Sequence, residues 1–245
     1  MRKVYHCLRS AVDDYLPRVC LLCHELIKEA SPGICTACMD LLPPHHGGCQ
    51  ICGCPLVKTA STRCGACMVN PPAYDHVYAL YTYQAPVSQL IYRMKYGHDF
   101  ACLHAIGELM ADKGQCSRHF SAYSDDWAFL AVPLHRRRLS QRGFNQSLEL
   151  AKHLAKVSQM PLLQKGCDRV RETPSQTGLT AKQRKKNVAQ AFSINIRPPA
   201  HVVLVDDVMT TGATVDALAA AIKRAGAQRV SVFVFARAHL DYFGS

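Results

Sequence analysis

From His76 onward, short apolar runs alternate with stretches whose apolar residues recur at helical spacing. HVYALYTYQ (76–84), rich in β-branched and aromatic residues, predicts a strand. Pro86 opens a segment with Val87, Leu90, Ile91 and Met94 on one helical face, ended by Gly97, and a second helical stretch follows from Cys102 to Met110. AFLAV (128–132), HVVLV (201–205) and RVSVFVFA (229–236) are further strand candidates, and helical patterns cover 144–157 and 213–225. This alternation predicts an α/β fold with a parallel sheet. The runs are apolar on both faces, as strands covered by helices on each side should be. Ligands of such sheets bind beyond the carboxyl ends of the strands, so the chemistry is expected just after Val132 and Val205.

Residues 1–72 follow a different rule. Cys20, Cys23, Cys35 and Cys38 recur, displaced by 29 positions, as Cys49, Cys52, Cys64 and Cys67. A CxxC pair can place two thiolates about 2.3 Å from one ion, and two pairs complete a closed tetrahedral site. Four thiolates and no open position predict structural zinc, two ions in all, stabilising a segment too short for its own core. The spacing leaves the pairing open: consecutive pairs, the two middle pairs, or an interleaved cross-brace. Cys54, His24, His45 and His46 lie close enough to be alternative ligands, whereas Cys7, Cys102, Cys116 and Cys167 read as ordinary thiols. Asn70, Pro71 and Pro72 close the region, which predicts one domain over 1–72 and a second over 73–245.

Composition narrows the setting. The net charge is +11, and residues 73–245 carry 22 basic against 13 acidic side chains, so the excess lies mainly in the second domain. Such a surface attracts polyanions without choosing among them. The basic start of the chain is interrupted by Arg9, Asp13 and Asp14 before an apolar stretch of export-signal length forms, and no window has the apolar length of a membrane span. A cytoplasmic protein is expected. A triphosphate-driven motor is not, because GxxxxGK[ST] is absent.

The sharpest motif is VVLVDDVMTTGAT (202–214), placed between a predicted strand and a predicted helix. Gly212 lets the backbone turn closely about an anion, and N–H groups at the helix start point at it. Thr210, Thr211 and Thr214 add hydroxyl donors, and Ala213 belongs to the same candidate site. Asp206 and Asp207 are suited to accept hydrogen bonds from neighbouring sugar hydroxyls. Together they predict recognition of a ribose 5-phosphate.

This stretch resembles the signature of type I phosphoribosyltransferases, which implies that fold and a site for phosphoribosyl pyrophosphate with magnesium. The resemblance widens with CLLC and the later cysteine pairs, VPLHRRRLSQRGFNQS (132–147) and TPSQTGLTAKQRKKNVAQAF (173–192). Over nearly its whole length the chain is similar to the ComF (ComFC/GntX-like) family. That implies a double zinc ribbon with an N-terminal helical segment over 1–72, followed by a phosphoribosyltransferase-like sheet with helices on both faces.

By the same resemblance, Pro133, Leu134, His135 and Arg136 form the loop that meets pyrophosphate, and 173–190 the mobile loop that covers the site. An arginine grips phosphate oxygens through two parallel N–H bonds, which suits Arg136 to this place. The family further implies a role in natural transformation, in the handling of internalised single-stranded DNA alongside DNA-uptake or motor proteins. Arg136, Arg137, Arg138 and Arg142 form one basic cluster, and Lys182, Arg184, Lys185 and Lys186 another, fitting a strand's phosphates. An active nucleotide-salvage transferase and a ligand-sensing regulator are the alternative readings. No residue identifies an acceptor pocket or a general base.

Overall fold

The computed structural model describes residues 18–29, 31–56, 61–113, 126–171 and 191–238. Five strands form one parallel sheet: β1 (His76–Thr82), β2 (Trp127–Ala131), β3 (Leu162–Leu163), β6 (His201–Met209) and β7 (Arg229–Arg237). Their order is β1-β7-β6-β2-β3. Strands β4 (Cys167–Arg169) and β5 (Phe192–Ile194) make a separate antiparallel pair. The predicted parallel α/β sheet is therefore present, and apolar residues alternate to both of its faces. Val203, Val205, Phe233 and Phe235 enter one core, and Val202, Leu204, Val230, Val232 and Val234 the other. Burying one large apolar side chain contributes about 1.5–3 kcal/mol, so this doubly covered ladder is the rigid part from which the site projects.

The first core is covered by α3 (Val87–Tyr96), α4 (Phe100–Lys113) and α6 (Gln146–Ser158), the second by α7 (Ala213–Arg224). Two short helices, α1 (Thr36–Asp40) and α2 (Gly65–Val69), each begin directly after a cysteine of the repeat, and α5 (Arg136–Arg142) follows β2. The proposed N-terminal helical segment lies largely outside the described residues, as does the stretch 172–190 with Lys182, Arg184, Lys185 and Lys186.

The two cysteine units pack on opposite faces of the sheet. Cys20, Ile34, Cys38 and Leu42 share a core with Leu90, Met94 and Ile106, while Cys49, Cys52 and Cys67 share the other with Tyr74, Met209 and Val234. Between the units the chain runs along the outer strand: Thr82 N donates to Pro43 O and His45 N to Leu80 O, each at 2.9 Å. An antiparallel bridge joins Pro44 to Tyr81. This contact covers part of an edge that would otherwise offer unpaired backbone groups to another chain.

Three local details differ from the sequence expectation. Strand β6 runs to Met209 rather than ending at Val205, because β7 continues to pair with it: Asp206 opposite Val234, Val208 opposite Ala236 and Met209 opposite Arg237. The two acids thus sit on the strand. The arginine run after Pro133 is a helix from Arg136, capped at its start by the His135 side chain and ended by Gly143 at φ 73°. Strands β3, β4 and β5, of two or three residues, are too short to show a period of two.

Candidate functional site

The turn after β6 is shaped by Gly212, whose φ of 81° is a left-handed value that favours glycine. A Cβ there would lie 2.5 Å from Met209 Cε and 3.1 Å from the Tyr74 hydroxyl, so space as well as backbone angle excludes a side chain. Helix α7 starts at Ala213, and Thr211 Oγ1 accepts from Ala213 N at 3.4 Å. Asp206 and residues 208–215 line a concavity of about 60 Å³. It is small and polar enough to suit a phosphate group rather than a base, and it opens onto a helix N-terminus, where amide donors and the helix dipole favour an anion.

The two acids have different surroundings. Asp207, 2 % exposed, lies 2.9 Å from Lys95 Nζ, which α3 projects toward it. Asp206 Oδ1 accepts from Ser147 Oγ at 2.7 Å and from Asp207 N at 2.9 Å. Burial, and then the Asp207 charge, push the Asp206 carboxyl up to about 7, against the opposing pull of Lys95. One acid is paired with a lysine, while the other has no salt-bridge partner among the described residues and is the carboxylate left to meet hydroxyls or a metal ion.

The neighbouring loop rises beside them. Val132 N donates to Val205 O at 3.0 Å, and Asn145 Nδ2 to Val132 O at 3.2 Å, while Asn145 Oδ1 caps α6 through Ser147 N at 3.1 Å. Pro133, Leu134 and His135 therefore leave the sheet next to β6, and Arg136, Arg137 and Arg138 follow them on the exposed helix α5. Arg142 lies on the same helix, its guanidinium carbon 5.2 Å from the centre of the Tyr96 ring. The structure thus brings the 133–136 loop, the first basic cluster and the 206–214 turn to one end of the sheet. Sequence reasoning missed Lys95 and Ser147, because only the topology carries α3 and α6 to the end of β6.

The cysteines assemble as consecutive pairs. Cys20, Cys23, Cys35 and Cys38 form one group and Cys49, Cys52, Cys64 and Cys67 the other, with the sulfurs of each group within 4.8 Å of one another. The Cys23–Cys35 and Cys52–Cys64 sulfurs are 3.7 and 3.6 Å apart. A tetrahedral ion with bonds of about 2.3 Å requires sulfur–sulfur edges of about 3.8 Å, so the geometry fits zinc. Leu22 N and Cys35 N both donate to Cys20 Sγ at 3.4 Å. Burial alone would raise that thiol, and such backbone donors outweigh it, bringing Cys20 to about 6, toward the thiolate form that binds metal. His45 is not a ligand: its Nε2 lies 2.8 Å from Gly53 O. His24, His46 and Cys54 also stay outside both groups.

A residue beyond the last predicted strand links the second cysteine group to the turn. Arg237, 1 % exposed, donates from Nε to Cys52 O at 2.9 Å and from Nη2 to Cys54 Sγ at 2.9 Å. Its Nη1 is shared among the carbonyls of Met209 (3.0 Å), Thr210 and Ala238 (2.6 Å). The linker closes the same joint from the other side, with Ala73 N donating to Asp216 Oδ1 of α7 at 2.6 Å. A larger cleft of about 440 Å³, lined by His45, Gln50, His76 and Tyr78 among others, lies along β1 and contains none of the predicted ligand residues of the turn.

Residues 145–242 match the phosphoribosyl transferase domain family. Over 223 residues the chain is 31% identical to the DNA utilization protein YhgH of Salmonella typhimurium, covering 91% of this chain and 98% of that one. It is 30% identical over 223 residues to competence protein F of Haemophilus influenzae, covering 89% and 96%, and 26% identical over 243 residues to competence protein ComFC of Bacillus subtilis, covering 89% and 95%.

Two outcomes follow from the geometry. Metal analysis should find two zinc ions per chain and one in Cys52→Ser; Arg237→Met should keep both yet lower stability by at least ~3 kcal/mol, since several buried carbonyls lose their donor. Full stability of Arg237→Met would contradict the link. The second outcome concerns pH. An ordinary aspartate releases its proton near 3.8, and folded Asp206 holds it to about 7. The folded state therefore binds more protons between those values, and this contribution to stability is present at low pH and lost as pH rises through the folded pKa. Melting temperatures measured across that window should show a smaller decline with pH in Asp206→Asn than in the wild type.

Proposed function

The chain belongs to the ComF family of competence and DNA-utilization proteins, and we propose that it handles internalised single-stranded DNA in the cytoplasm through a domain that binds phosphoribosyl pyrophosphate. The observation that carries this reading is the convergence, at one end of the sheet, of the 206–214 turn, the 133–136 loop and the exposed arginines of α5. In this reading the amides and hydroxyls of Thr210 to Thr214 hold the 5-phosphate, and Asp206 accepts from the ribose hydroxyls. Lys95, 2.9 Å from the Asp207 carboxylate, offsets its charge. Arg136 reaches the pyrophosphate, where its fork of N–H donors matches the oxygens. Magnesium would be held by the carboxylate oxygens at Asp206 and Asp207 and would supply positive charge to offset the anionic ligand.

Arg136, Arg137 and Arg138 then serve a second purpose, neutralising the phosphates of a strand laid across the same end of the molecule. Among the described residues no helix is long and apolar enough to cross a membrane. The two zinc sites hold the N-terminal segment closed and have no open position for chemistry.

Phosphoribosyl pyrophosphate with magnesium should raise the melting temperature of the wild type, and Asp206→Ala with Asp207→Ala should remove that protection. Equal shifts in both proteins would contradict the ligand assignment. Replacing Arg136, Arg137 and Arg138 with alanine should weaken single-strand binding and flatten its log–log salt dependence by about 0.7 per lost phosphate contact. Unchanged affinity and slope would contradict the nucleic-acid assignment.

A further inference from the structure

Tyr92, Tyr96 and Phe100 are 63, 59 and 61 % exposed, whereas most of the other described aromatic residues pack in the cores. They are neighbours. Tyr92 and Tyr96, one turn apart on α3, have ring centres 5.0 Å apart. Arg142 stacks over Tyr96, and two positions further on the half-buried Phe144 approaches Phe100 at 5.3 Å and the exposed His98 at 6.2 Å. The rings form a band from α3 across the start of α4 to the loop before α6. It borders the candidate ligand site: Lys95 of the same helix reaches Asp207, and Ser147, three positions after Phe144, reaches Asp206.

A contiguous group of exposed large rings is uncommon on a soluble surface and marks a contact site. Three features select the occupant. The band is interleaved with cations, from Arg142 on Tyr96 to the arginines of α5 beside it, so the partner is an anion. The one carboxylate within the band, Asp99, is already paired with Arg93 at 2.7 Å and does not repel it. Flat faces next to phosphate-binding charge suit a ligand that carries a flat ring on every phosphate unit.

We propose that Tyr92, Tyr96, Phe100 and Phe144 form a stacking platform for the unpaired bases of a single DNA strand whose phosphates lie against α5. The inference rests on the single-strand reading above and specifies where its bases sit. Duplex DNA, with its bases already stacked on one another, leaves the platform unused.

The test compares a fluorescent oligothymidylate with a strand of the same length in which most bases are removed, by anisotropy at several salt concentrations. The wild type should bind the base-bearing strand more tightly than the abasic one. Tyr92→Ala, Tyr96→Ala and Phe100→Ala combined should weaken oligothymidylate binding at least about tenfold, toward the abasic level, with abasic affinity and salt slope unchanged. Tyr92→Phe with Tyr96→Phe should bind as the wild type does. Equal wild-type affinity for the two strands, or a triple variant that keeps the preference for bases, would overturn the platform and leave the phosphate contacts of α5 intact. Failure of the wild type to bind either strand would overturn the single-strand reading and the platform with it.

Discussion

The buried guanidinium of Arg237 is the joint on which the two halves of the molecule depend. One planar group, with five donors in a fixed fork, meets the carbonyl of Cys52, the sulfur of Cys54 and the carbonyls of Met209 and Thr210. The first pair belongs to the second cysteine unit and the second pair to the turn that faces the candidate phosphate site. A buried cation with no carboxylate partner among the described residues is costly unless its donors are satisfied, and here backbone oxygens and the Cys54 sulfur accept from it. The price of that arrangement is rigidity: neither the cysteine unit nor the turn can shift without stranding the charge. Gly212 adds a second constraint, since Met209 and Tyr74 leave no room for a Cβ.

With the turn fixed, the remaining site follows from the ends of the strands. Parallel order places the end of β2 beside β6, and Asn145 ties the loop after β2 to the start of α6. Helix α6 brings Ser147 to Asp206, and α3 brings Lys95 to Asp207. Two adjacent acids thereby acquire different roles, one compensated by a lysine and one held near neutrality by burial and by its neighbour. The basic helix and the exposed rings extend outward from the same end, so a small phosphorylated sugar and a nucleic-acid strand would meet the protein side by side.

Much of this was legible in the sequence. The central strands announced themselves as apolar runs, and the doubled CxxC unit showed its ligands, although spacing alone left their pairing open. The turn at 206–214 was readable because glycine, threonines and adjacent acids each have a local use there. Lys95, Ser147 and Arg237 were hidden because their partners are remote: Ser147 lies 59 positions from Asp206, and Arg237 lies 185 from Cys52. Arg237 also directly follows the apolar run 229–236, where a charge resembles the ordinary end of a strand; its signal would have been that β7 has to pair beyond Ala236 for β6 to reach Met209. The aromatic band was not legible as a unit for a related reason, since Tyr96, Phe100 and Phe144 become neighbours only when α3, the start of α4 and the loop before α6 converge.

The central claim is that a phosphoribosyl ligand is held by the backbone of the turn after β6. Amide hydrogen exchange, recorded with and without phosphoribosyl pyrophosphate and magnesium, addresses that backbone directly. The account predicts slowed exchange concentrated at Thr210 to Thr214, where the amides face the phosphate. Unchanged exchange there, with protection appearing instead along the cleft between His45 and His76, would contradict it.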